Sequence, residues 1–195
     1  MSDPALLDLD GTALLVVDVQ RGLDDPSWGR RDNPSCEENV AALIAEWRAG
    51  GRPLVFVRHD STEPDSPLRP ERRGNAFKDV VDGTPDLVVA KTVNSAFYGE
   101  PDLDAWLRGR GIEAIAVCGI TTNHCCETTA RMAGNLGYRV LFVTDATHTF
   151  DRHAPDGTLV SAEELHRATD TSLHGEFAAV VRTADLVAPS PLVRR

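Results

Sequence analysis

Six apolar runs recur along the chain: Ala13–Val19, Pro53–His59, Leu87–Lys91, Ala114–Cys118, Arg139–Val143 and Ala179–Arg182. Most are unbroken. A strand with one face in water alternates apolar and polar residues, whereas an unbroken run suits a strand covered on both faces. Helix-like segments separate the runs. Ser35–Ala49 carries Val40, Leu43, Ile44 and Trp47 at three- and four-residue spacing and stops at Gly50-Gly51. Asp102–Arg110 carries Leu103, Trp106 and Leu107 and stops at Gly111, and Asn123–Asn135 is followed by Gly137. Ser161–Leu173 opens with Ser161 and Glu164, the spacing of a capping box. This alternation predicts an α/β fold with a mainly parallel sheet and helices on both faces.

The chain has 195 residues, which predicts one domain over residues 1–195 that needs no disulfide or metal to fold. No run approaches the roughly 18–20 apolar residues of a membrane span, and the start of the chain does not read as a secretory leader. The expectation is a cytoplasmic protein without a membrane partner. The net charge of −10 argues against nucleic acid, which needs clustered Lys and Arg, and is compatible with a cationic ligand. Cys36, Cys118, Cys125 and Cys126 form no C-x-x-C pair, and the histidines are not spaced to complete a zinc site. They read as reduced thiols, one a candidate nucleophile and the rest small buried groups. Asp24–Asn33 and the proline-bearing Ser61–Gly83 are irregular. They read either as loops over the carboxyl ends of the strands, where open α/β sheets bind ligands, or as plain connectors.

Three positions carry the chemistry. Asp18 ends the run Leu14-Leu15-Val16-Val17, and Lys91 ends Leu87-Val88-Val89-Ala90. A charge at the end of a buried strand needs a partner or a cleft. Asp18 reads as a general base or a structural ion pair, and Lys91 as an electrostatic partner or a snorkelling side chain. Cys125 follows the strand ending in Cys118-Gly119 and sits near a helix start, where the dipole and free N–H groups favour a thiolate and can hold an oxyanion. Its alternative is a packing cysteine. Together the three supply base, cation and thiol at one edge of a sheet, the set a nucleophilic site requires.

Leu14-Leu15-Val16-Val17-Asp18-Val19-Gln20, Lys91 with Ser95-Ala96-Phe97-Tyr98-Gly99, and Gly119-Ile120-Thr121-Thr122-Asn123-His124-Cys125 together resemble the isochorismatase-like cysteine hydrolases over nearly the whole chain. The resemblance implies a three-layer α/β/α sandwich around a parallel sheet of about six strands. It implies a triad of Asp18, Lys91 and Cys125, a cis Ile120–Thr121 peptide, and an oxyanion hole from the backbone N–H groups of Thr121 and Cys125. Cys126 falls where that family has a small apolar residue. Gln20, His59, Phe97, Tyr98, Asn123, His124 and His148 are the candidate substrate contacts, with Trp28 as a pocket cover or subunit contact. The nicotinamidase branch holds a divalent ion through an Asp-x-His pair after its second strand. Here Arg58-His59-Asp60-Ser61 lacks that pattern, so no metal and no other cofactor is expected.

The implied reaction is hydrolysis of a C–N bond in a small amide or lactam by Cys125, with Lys91 and the helix start lowering its pKa. Thr121–Arg131 and Asp145–Arg152 resemble the streptothricin-hydrolase branch, which opens the lactam of a cationic antibiotic. Nicotinamidase-, N-carbamoylsarcosine- or ureidoacrylate-type hydrolysis, vinyl ether hydrolysis and a non-catalytic interaction domain are the alternatives. Family members are usually dimers or tetramers, so a homo-oligomer is expected.

Overall fold

The structure, a computed structural model, describes residues 9–187. Its elements are β1 (Thr12–Val17), α1 (Cys36–Ala49), β2 (Leu54–His59), β3 (Leu87–Lys91), α2 (Leu103–Gly109), β4 (Ala114–Ile120), α3 (Glu127–Asn135), β5 (Arg139–His148), β6 (Arg152–His153), β7 (Leu159–Val160), α4 (Ala162–Leu173), β8 (Ala179–Val181) and α5 (Thr183–Leu186). Six strands form one sheet in the order β3-β2-β1-β4-β5-β8, and every pairing in it is parallel. Among the described residues, no helix is long and apolar enough to cross a membrane.

The sheet divides the core into two layers. Successive side chains of a strand point to opposite faces, so the unbroken β1 run feeds both. Leu14 and Val16 join Val40, Leu43 and Trp47 of α1 on one side. Ala13, Leu15 and Val17 join Leu103 and Leu107 of α2, Ala130 and Ala133 of α3 and Leu173 of α4 on the other. Each fully buried Leu or Val contributes about 1.5–3 kcal/mol, and β1 is buried at all of its positions. Trp47 is also satisfied, donating its indole N–H to the Thr12 carbonyl at 2.8 Å. The capping box of α4 is present: the Ser161 hydroxyl accepts from the Glu164 N–H and the Glu164 carboxylate from the Ser161 N–H.

The boundaries depart from the sequence expectation where they matter most. β1 ends at Val17 rather than Val19, because Asp18 turns into the left-handed region at φ 52°, which Asp tolerates better than most residues. β4 continues past Cys118 to Ile120. β5 continues past Val143 to His148, after a register shift between Val117 and Gly119 of its partner. This bulge survives the polar Thr144-Asp145 because its carbonyls find side-chain donors. The Asn33 amide donates to Asp145 O and Thr147 O at 2.8 and 2.6 Å, and Asn39 to Asp145 O at 2.6 Å. The helix expected from Asn123 begins at Glu127, after a π-helical turn over Thr122–Cys126. The short β6–β7 hairpin was not expected.

At the β3 edge, the Ala90 N–H and carbonyl exchange hydrogen bonds with Glu100, both 2.8 Å. On the other side of β1, Val17 lies in register with Gly119. Gly119 has φ 127°, and a Cβ there would sit 2.0 Å from the Val17 carbonyl oxygen. Glycine thus lets β4 press against the end of β1 just before Asp18 and Thr121.

Candidate active site

Three strand ends and one helix start converge. The left-handed turn at Asp18 holds its N–H on the Val57 carbonyl at 2.9 Å and leaves its side chain buried. Lys91 ends β3 and is 1% exposed. Its ammonium is 2.6 Å from Asp18 Oδ2 and 3.3 Å from Cys125 Sγ. It also lies 3.3 Å from His59 Nδ1, and His59 pairs with Lys91 in the β2–β3 register. Asp18 Oδ1 is buried without a hydrogen-bond partner among the described residues. Asp18, His59 and Cys125 offer atoms all within 4.8 Å of one another. This is the one candidate metal-binding group found among the described residues, but Lys91 already contacts all three members. A metal ion would have to displace a buried ammonium.

The four cysteines separate clearly. Cys36, Cys118 and Cys126 are fully buried, Cys126 within the layer under α2 and α3. Cys125 alone is half-buried. It reaches Lys91, with Asn94 Oδ1 3.9 Å from its sulfur.

The electrostatics correct one expectation. Burial pushes the Cys125 thiol up, the Asp18 charge adds to this, and Lys91 only partly offsets it. The net shift is upward, not the expected decrease, so the resting group is a thiol. Lys91 itself is raised: burial would lower it, but Asp18 and Cys125 outweigh that. It stays an ammonium.

The other expected contacts scatter. Gln20 is fully buried, and its amide is spent on backbone. It accepts from the His59 N–H at 2.9 Å and donates to the carbonyls of His59 and Asn75 at 3.0 and 2.8 Å. It is a clamp between strand ends and has little left for a ligand. His148 is not brought to the triad. It lies fully buried, 3.8 Å from Glu37 of α1 and edge-on to Phe150. Burial, then Arg31, lowers its pKa to about 3.

Phe97 packs on Tyr138 with ring centroids 5.8 Å apart, whereas Tyr98 is 69% exposed. Asn123 accepts from the Thr149 hydroxyl at 2.5 Å. His124 is half-buried, and burial, then Arg152, lowers its pKa. Thr121 follows a cis Ile120–Thr121 peptide.

A cleft of about 520 Å³ meets this centre at His59, which lines it with Trp28, Glu63, Asp65, Pro67 and Leu68; none of its lining residues is Lys or Arg. The two irregular stretches thus form the cleft walls. Sequence reasoning missed Asn94, Glu63 and Asp65 individually. Only their membership of loops after strand ends pointed to them. It also missed Thr147, which accepts the Thr122 hydroxyl at 2.9 Å and, with Thr149, braces the turn that carries Cys125.

Comparison with known proteins places the family and the fold. The isochorismatase domain matches residues 12–185. YrdC of Bacillus subtilis, an uncharacterized isochorismatase family protein, is 36% identical over 176 residues, 90% of this chain and 94% of its own. Streptothricin hydrolase of Streptomyces noursei is 32% identical over 188 residues, covering 92% of this chain and 67% of that one. The crystal structure of an isochorismatase-family hydrolase from Chromobacterium violaceum superposes with a TM-score of 0.90 at 42% identity, over 96% of this chain and 97% of that one.

Proposed function

Because the chain belongs to the isochorismatase family, we propose that it is a cysteine hydrolase that cleaves a C–N bond of a small amide or lactam. One observation carries the reading: a buried ammonium bridges a carboxylate at 2.6 Å and a partly buried thiol at 3.3 Å. A packing cysteine does not need such a neighbour.

In this reading the proton stays on Cys125 until substrate arrives, since burial and Asp18 hold it there. Asp18 Oδ1, which has no other partner among the described residues, takes the proton as the sulfur attacks the carbonyl carbon. Lys91 balances the negative charge that moves between Asp18 and Cys125. The backbone N–H groups of Thr121 and Cys125 receive the oxyanion. Asp18 then gives the proton to the leaving nitrogen, and a thioester remains on Cys125. Water, deprotonated by Asp18, attacks the thioester and releases the acid and the thiol.

Within that class the finer reading is opening of a lactam in a cationic antibiotic, which follows from the resemblance of Thr121–Arg131 and Asp145–Arg152 to the streptothricin-hydrolase branch; the Streptomyces relative is a streptothricin hydrolase by name. The cleft supports it, because Glu63 and Asp65 line it without a Lys or Arg, a wall suited to a cationic rather than an anionic substrate. The test is mass spectrometry of streptothricin incubated with wild type and with Cys125→Ala. The wild type should add one water to the lactam. The variant should fall more than about 1,000-fold in turnover while melting as the wild type does. Full activity in the variant would remove Cys125 as nucleophile. An unchanged antibiotic would remove the substrate, and an amide panel would then test the reaction class.

A further inference from the structure

Lys91 is enclosed by protein, its side chain 0% exposed, and an ammonium has three N–H donors to place. Asp18 and Cys125 take two of them. The atom in reach of the third is His59 Nδ1 at 3.3 Å. The imidazole is itself held from behind. The backbone N–H of His59 donates to Gln20 Oε1 at 2.9 Å, and its carbonyl accepts from Gln20 at 3.0 Å and Asn75 at 3.2 Å. A ring on so firmly gripped a backbone, in register with Lys91, is an anchor for the ammonium.

We propose that His59 is a positioning residue of the hydrolytic site, whose Nδ1 is the third acceptor of the Lys91 ammonium and thereby aims another Lys91 N–H at the Cys125 sulfur. This rests on the hydrolase reading above for its chemistry, but the contact exists whatever the substrate. Only a neutral His59 can accept here. Burial, then the Lys91 charge, lowers its pKa, while Asp18, Asp60 and a backbone hydrogen bond at Val93 oppose the shift. Cys125 faces it across the same centre, and Glu63 and Asp65 share its cleft. The ring is therefore neutral at neutral pH. It gains a proton only below the ordinary range near 6.5, where two cations would meet and the ammonium would lose its anchor.

The experiment is the rate of Cys125 alkylation by iodoacetamide, followed by peptide mapping from pH 8 to 4.5 in wild type, His59→Leu and His59→Gln. This readout needs no known substrate. In wild type, log rate should fall by one per pH unit as the thiolate is protonated, then steepen in acid as His59 titrates, for an extra loss of about tenfold in all. His59→Leu should react about tenfold more slowly at pH 7.5, because a misplaced ammonium stabilises the thiolate less. His59→Gln offers an amide oxygen as acceptor and should recover to within about threefold of wild type, with no steepening in acid.

Wild-type reactivity in His59→Leu, equal losses in both variants, or steepening in His59→Gln like that of wild type would each overturn the proposal. If His59→Leu does not fold, the His59→Gln profile alone decides. A wild type that turns over no amide but shows these alkylation profiles would sink the hydrolase reading and leave the positioning role intact.

Discussion

Gly119→Ala tests how tightly the candidate site depends on the contact between β1 and β4. Gly119 has φ 127°, and an added Cβ would lie 2.0 Å from the Val17 carbonyl oxygen and 2.7 Å from the Val17 nitrogen. Both are backbone atoms of a central strand, so no flexible side chain can move aside. The left-handed conformation alone costs about 1–2 kcal/mol. Forcing the strands apart adds about 1–3 kcal/mol of overpacking strain. The sum is about 2–5 kcal/mol, and at about 2–4 °C per kcal/mol for a chain of this size the melting temperature should fall by about 4–20 °C.

Gly137→Ala supplies the control. That glycine also has a positive φ, 90°, but a Cβ there meets nothing within 4 Å. It should lose only the conformational part, about 2–8 °C. The assay is thermal unfolding by circular dichroism under one buffer and concentration. Cys125 alkylation at pH 7.5 should slow in Gly119→Ala and stay at the wild-type rate in Gly137→Ala, because Gly119 sits three residues before the turn that holds the thiol. Equal melting losses in the two variants would refute the close-approach argument, whatever their absolute size.

Two further outcomes follow from the structure. His148, with its pKa lowered to about 3 by burial and Arg31, is neutral when folded but takes a proton near 6.5 when unfolded. Its contribution is therefore complete above about pH 6.5 and is lost as pH falls toward 3. Urea midpoints should drop across that window, and less steeply in His148→Leu; parallel slopes would exclude the imidazole as the cause. Ser161→Ala removes the α4 capping box and should cost about 1 kcal/mol in urea unfolding, whereas a loss under about 0.2 kcal/mol would mean the first turn is held by other contacts.

The six-stranded parallel sheet was legible because its signal is local. Unbroken apolar runs mark doubly covered strands, and the glycines after each helix mark the stops. Asp18, Lys91 and Cys125 stood out for the same reason: polar residues at the ends of apolar runs or at a helix start are conspicuous.

What stayed hidden depends on residues far apart in sequence. β5 reads as finished at Val143, and nothing near Thr144-Asp145 reveals that Asn33 and Asn39 will satisfy its carbonyls. His148 lies just past that expected end, so it read as a residue facing the site rather than a strand residue buried beside α1. Gln20 follows Asp18 closely and so read as a ligand contact, while its actual partners come from His59 and Asn75. The direction of the thiol's pKa also escaped, because the cost of burying Cys125 cannot be read from its neighbours in the chain.

The paired hydrogen bonds between Ala90 and Glu100 have a consequence at the outer border of the sheet. β3 is one of the two border strands, and a border strand with free N–H and carbonyl groups invites another chain to add to it. Ala90, the residue before Lys91, has both groups occupied by Glu100, and Pro101 follows directly. A strand from another molecule therefore finds no continuous ladder to extend at the end nearest the triad. The loop that folds back here closes the border of the sheet beside the buried Lys91–Asp18 pair.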